Sequence, residues 1–118
     1  MHNKLLGKFG EDLACAYLTR KGYKLVSRNI KLSYQELDIV AIQEKVLVFV
    51  EVKTRMSKWQ EGAEDAMNRG KYHNLKKAIL HYLETNKLPK ENFRLDMIAI
   101  YVDKLSKKAN IKHYFDVI

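Results

Sequence analysis

Apolar positions along this chain follow two periods, and the switches between them mark its elements. Between residues 4 and 21, Leu6, Phe9, Leu13 and Tyr17 recur at steps of three and four, which predicts an amphipathic helix with Gly22 as its stop. Tyr23 to Ile30 reads as a first strand. From Glu36 to Arg55 the chain reads as two strands joined by a polar turn, Gln43-Glu44-Lys45. The second of these carries Val46-Leu47-Val48-Phe49-Val50, an unbroken run rich in β-branched residues, suited to a strand buried on both faces. A polar connection, Met56 to Gly62, leads into a second helix over residues 63 to 85. Its packing rows are Met67, Lys71, Leu75, Ile79 and Leu75, Ala78, Tyr82, with Leu83 adjoining. Asn86 to Pro89 closes that helix, and Phe93 to Val102 is a fourth strand. A basic turn over Asp103 to Asn110 precedes a last strand, Ile111 to Ile118, expected to pair with the fourth. The order αβββα followed by one or two strands predicts one α/β domain, residues 1–118, with a mixed sheet flanked by helices.

Charge interrupts this pattern at one place. The apolar third strand runs straight into Glu51-Val52-Lys53, placing a carboxylate and an ammonium at the end of a core strand. Side chains alternate along a strand, so Leu47, Phe49, Glu51 and Lys53 share one face, as do Glu36, Asp38, Val40 and Ile42 on the preceding strand. Paired as a hairpin, the two strands bring Asp38 opposite the Glu51 region. Unpaired charges there are costly, and a hard divalent cation, Mg²⁺ or Mn²⁺, is the natural partner of such carboxylates. The carbonyl of Val52 is the matching main-chain ligand. Glu11 sits at the margin of the first helix's packed face, where it leans toward a cleft. Lys71 lies on the apolar row of the second helix, so it either snorkels to the rim or points over the sheet toward the carboxylates.

Composition adds a partner class. The net charge of +8 and pI near 9.5 favour polyanions, nucleic acid first. Lys53, Arg55, Lys58 and Trp59 cluster where the third strand meets its connection, a set that can hold phosphates and stack on a base; the alternative is that Trp59 caps the core edge. One cysteine, Cys15, admits no internal disulfide and fits a reducing compartment. No apolar segment approaches the roughly 20 residues that span a bilayer. The expectation is a cytoplasmic protein without a membrane partner. His2, His73, His81 and His113 are scattered, which argues against a zinc site.

Asp38 followed by Glu51-x-Lys53, on strands two and three, after a helix bearing Glu11 and before one bearing Lys71, resembles the PD-(D/E)xK nuclease pattern. More closely, the chain is similar to the small bacterial YraN family (UPF0102), an endonuclease-like group. The matching pieces are Gly10-Glu11-Asp12-Leu13-Ala14, Arg28-Asn29, Glu36-Leu37-Asp38-Ile39-Val40, Phe49 to Arg55, Lys71 and Arg94-Leu95-Asp96. Gln35 stands where the family usually has Gly, and Leu95 where it usually has an aromatic. The resemblance implies a restriction-endonuclease-like αβββαβ core and a metal-dependent nuclease acting on DNA, branched or damaged structures included, with DNA ahead of RNA. In that reading Asp38 and Glu51 hold the metal with the Val52 carbonyl, and Lys53 is the catalytic lysine. Glu11, Glu36, Arg55, Trp59 and Lys71 surround metal or substrate, and Asp96 pairs with Arg94 or a loop. A homodimer would address both strands of a duplex. Two other readings stand beside it: a nucleic-acid-binding module that does not cleave, and a protein-interaction factor whose charge cluster serves the fold.

Overall fold

The computed structural model describes residues 3–32, 35–56 and 69–118. Its elements are α1 (Asn3–Arg20), β1 (Lys24–Lys31), β2 (Glu36–Gln43), β3 (Val46–Arg55), α2 (Arg69–Thr85), β4 (Phe93–Val102) and β5 (Ala109–Tyr114). The five strands form one sheet in the order β1-β2-β3-β4-β5. Neighbours pair antiparallel except β3 and β4, which run parallel. That single parallel pair needs a crossover connection, and α2 lies within it. The chain is therefore an α/β domain with a mixed sheet between two helices, as its periodicity predicts.

Each helix covers one face. Leu6, Ala14, Cys15 and Leu18 pack with Ile39, Ala41, Val48, Val50, Ile98 and Ile100 on one side. Leu75, Ala78, Ile79 and Leu83 pack with Val40, Phe49, Leu95 and Met97 on the other. Burial on both faces explains why β3 and β4 read as nearly continuous apolar runs. Leu95, 1% exposed, fills its place in the α2-side core.

Several boundaries differ from the sequence reading. Phe9 is 36% exposed and does not join the packed face of α1. The rest of its row does pack, with Leu6 buried and Leu13 and Tyr17 partly buried against the same core, and Gly10 shows how close the helix comes: a Cβ built there would run into the Thr54 hydroxyl of β3. Close approach of α1 to β3 selects against bulk on that face. Gly10→Ala should therefore destabilise the fold by about 1–3 kcal/mol, despite alanine's better helix propensity. Thermal melts of Gly10→Ala with and without Thr54→Ala check this, the second change restoring most of the loss.

The β2–β3 turn is two residues, Glu44 and Lys45, with φ of 48° and 71°, and Gln43 belongs to β2 opposite Val46. Two positive φ values match the right-handed twist of a hairpin. The last strand stops at Tyr114, although Val117 N still donates to Leu95 O at 2.8 Å. Gly22 (φ 93°) ends α1 as expected, with Tyr23 N bonded to Leu18 O and Gly22 N to Thr19 O. The same double bond closes α2, but there Lys87 occupies the left-handed position (φ 55°). Lys87→Gly should relieve that strain and raise stability by about 0.5–1 kcal/mol, read as a higher denaturant midpoint. The expected start of the second helix at residue 63, Met67 and the Trp59 connection lie outside the described residues.

Candidate functional site

Pairing between β2 and β3 runs from Gln43↔Val46 to Ile39↔Val50 and stops there, while β3 continues beside β4 to Arg55. Beyond that point β2 and β3 part as a fork. Asp38 stands at its base, 9% exposed, and its Oδ2 accepts from Val52 N at 2.8 Å. A strand residue's N–H and C=O point to the same side, so the Val52 carbonyl also faces the fork. Glu51, 3% exposed, lies against Asp38. Across the opening, the carboxylates of Glu11, Glu36 and Asp38 lie within 4.8 Å of one another. Asp38 thus belongs to two acidic groups, one toward α1 and one toward α2.

Electrostatics follow from that crowding. Burial, then hydrogen bonding to Glu51 and its charge, push the Asp38 carboxyl up to about 9 against the Val52 N–H, which pulls it down. Burial and the neighbouring Glu36 raise Glu11, opposed by the Arg28 guanidinium and a hydrogen bond from Asn29. Like charges this close favour a shared proton or a cation. The donors are all carboxylate and carbonyl oxygens, a set that suits Mg²⁺ or Mn²⁺. Two lysines balance the far side: Lys71 Nζ is 3.3 Å and Lys53 Nζ 3.7 Å from Glu51 Oε2. Of the two options for Lys71, the structure takes the second, over the sheet and toward the carboxylates.

A model of the uncharacterised protein family UPF0102 matches residues 10–100. This chain belongs to that family. A UPF0102 protein of Syntrophomonas wolfei is 41% identical over 92% of this chain and 94% of its own length. Another, from Flavobacterium psychrophilum, is 41% identical over 98% of this chain and 93% of its own. Among solved structures, a fdxN element excision controlling factor from Anabaena variabilis aligns over 91% of this chain and 97% of its own at 12% identity. The TM-score of that alignment is 0.43.

In this UPF0102 chain the fork gathers Glu11, Glu36, Asp38, Glu51, Val52, Lys53 and Lys71. Glu36 stands closer to the centre than its place at the strand start suggested, because α1 brings Glu11 down beside it. Arg55 lines a cleft of about 400 Å³ with Glu11, Val52, Lys53 and Thr54. Trp59 lies outside the described residues. The sequence reading missed Arg28 and Asn29 as site neighbours: Arg28 Nη2 is 3.8 Å from Glu11 and 2.8 Å from Asp12, and Asn29 (φ 52°) bonds to Glu11. Their only signal was the dipeptide shared with the family.

Asp96 takes no part in the fork. Fully buried, it accepts from Arg94 Nε (2.8 Å) and Nη2 (3.0 Å) and from Asp116 N (2.9 Å), and lies 2.7 Å from His113 Nε2. Arg94 also reaches the Tyr23 hydroxyl, and His113 Nδ1 the Tyr17 hydroxyl, each at 2.9 Å. Arg94-Leu95-Asp96 is therefore a clasp that ties β4 to β5, the end of α1 and the C-terminal tail.

Proposed function

We propose that this protein is a metal-dependent nuclease that hydrolyses phosphodiester bonds of DNA. The observation that carries this reading is the convergence, at one strand fork, of four carboxylates with two lysines in a protein of net charge +8. A pure binder of polyanions gains nothing from carboxylates facing phosphate. Asp38 with Glu51 and the Val52 carbonyl would hold the ion, and Glu11 and Glu36 would complete or extend its oxygen shell. When bound, Mg²⁺ or Mn²⁺ supplies Lewis-acid neutralisation of the phosphate and a more acidic water. Lys53 stands where an ammonium can orient the attacking water. Lys71, from the other side of Glu51, offsets charge developing on the phosphorus oxygens. Arg55 sits farther along the cleft, suited to a neighbouring phosphate.

The test is a cleavage screen over duplex, single-stranded and branched DNA and over RNA, with Mg²⁺ and Mn²⁺, for wild type and Asp38→Asn. We expect cleavage by wild type and loss of at least about 100-fold in the variant, as for a missing electrostatic contributor. Wild type that binds in a salt-dependent way yet leaves every substrate intact would transfer the protein to the binding-module reading. Lys71→Met separates the two roles for that lysine. The fold should persist, because methionine occupies a similar row on α2, while turnover should fall about tenfold or more. Unchanged turnover would reduce Lys71 to a counter-charge for Glu51.

A further inference from the structure

Two clefts meet at the fork, and α1 is the ridge between them. The first, about 400 Å³, runs past Lys53, Thr54 and Arg55. The second, about 720 Å³, runs between the start of α1 and β1, past Lys4, Lys8 and Arg28. Both lie in the size range of ligand-binding clefts, and among the described residues only Gly7 and Glu11 line both. These two residues are one helical turn apart on the same ridge. Glu11 brings the acidic group to the crest, and Gly7 leaves the crest without a side chain.

Gly7 has no packing reason to be glycine. A Cβ built on it meets nothing within 4 Å, in contrast to Gly10, where Thr54 stands in the way. Its φ lies outside the left-handed region, since Gly22 is the positive-φ glycine of the described chain. A glycine inside a helix disfavours that helix relative to alanine, and one use that repays this cost is close approach of a ligand to the backbone.

We propose that Gly7 is a saddle over which one polynucleotide strand crosses α1, with one arm of the strand in each cleft and the phosphate between them at the acidic group. Cations line both clefts. Arg55, in the first cleft, has no carboxylate partner among the described residues and donates only to the Thr54 carbonyl. The second cleft is lined by Lys4, by Lys8 and Arg28, whose shared partner Asp12 (3.2 and 2.8 Å) a phosphate would compete with, and by Leu5, which is 60% exposed and offers an apolar surface for a base. A strand that continues in both directions from the reacting phosphate is cut internally, so the site takes endonucleolytic substrates, closed circles included. This inference rests on the nuclease reading for the cut, while the crossing itself is a statement about binding.

The closing experiment measures binding and folding together, without metal, so that catalysis does not enter. A fluorescein-labelled single-stranded oligonucleotide is titrated by anisotropy at low salt with wild type, Gly7→Ala and Gly7→Leu, and each protein is melted. Gly7→Ala should raise Tm by a few degrees and weaken binding about threefold. Gly7→Leu should keep a wild-type or higher Tm and weaken binding tenfold or more, with the salt dependence unchanged because no phosphate contact is removed. A fall in Tm with Gly7→Ala would make the glycine structural and overturn the proposal. So would wild-type affinity in Gly7→Leu. Circular single-stranded DNA then tests the cut: if Gly7→Leu binds weakly but wild type cleaves nothing, the crossing stands and the nuclease reading falls. If wild type cleaves linear strands only from their ends, the two-armed path is wrong while the nuclease reading survives.

Discussion

Asp38→Asn is expected to stabilise the metal-free protein at neutral and alkaline pH and to abolish its response to Mn²⁺. In the folded state Asp38 is raised to about 9 by burial and by Glu51, against an ordinary carboxyl value near 4 when unfolded. The folded protein therefore holds a proton that the unfolded chain releases. A raised folded value contributes stability that is whole below the unfolded value and drains as pH climbs toward the folded one. Over roughly pH 5 to 8 the loss should approach about 1.4 kcal/mol per pH unit. Asparagine imitates the neutral acid permanently: its oxygen still accepts from Val52 N, and its amide can donate to Glu51. The variant should show a nearly flat stability profile across that window in urea titrations with chelator present. Wild type should gain about 2.7 kcal/mol at a Mn²⁺ concentration 100 times its Kd, with close to one proton released per ion near pH 7, measured by calorimetry in two buffers. Equal Mn²⁺ affinity in both proteins would remove Asp38 from the ligand set.

The second large effect concerns the clasp. Asp96→Ala should destabilise the protein by about 3–5 kcal/mol, because it leaves the half-buried Arg94 guanidinium and the His113 ring without their carboxylate. With native stability commonly about 5–15 kcal/mol, much of the population would be near unfolding at 37 °C. Burial alone would raise the Asp96 carboxyl, but hydrogen bonds from His113, Arg94 and Asp116 N hold it below its ordinary value. That sign places its contribution above about pH 4, lost as pH falls through the lowered folded value. Wild type should accordingly lose stability on acidification in that range, and Asp96→Asn should lose less. Amide exchange at Val117 should accelerate in either variant, since the tail's bond to Leu95 depends on the same clasp. Unaltered exchange there would mean the tail holds without it.

Much of this molecule is legible in the order of its residues. The run from Val46 to Val50 suits a strand covered on both faces, and the shift from period 3.6 to period 2 marked α1, β1, β2, β3 and β4 and the end of α2 within a few residues. Gly22 ended α1 because a Schellman turn needs a left-handed residue. Alternation put Glu51 with Lys53 and Asp38 with Glu36, and a hairpin turn of fixed length brought the two sets level. These are local consequences of backbone geometry, readable without knowing what lies across the sheet.

The rest was decided at distances that a linear pattern does not encode. Which face α1 presents depends on how near β3 lies, and Thr54 against Gly10 sets that distance. Leu6, Leu13 and Tyr17 marked the packed face, and Phe9 alone of that row was misplaced. The same approach lowers Glu11 onto Glu36 and Asp38, which follow it by 25 and 27 residues in the chain, making a tight acidic group. Lys71 on an apolar row had two readings until α2 was laid over Glu51. Asp96, an acid in an apolar strand like Asp38, met Arg94, His113 and the tail instead of the fork. The sequence alone determined which charges would be buried. Only tertiary packing decided which of them are neutralised by partners and which are left crowded together.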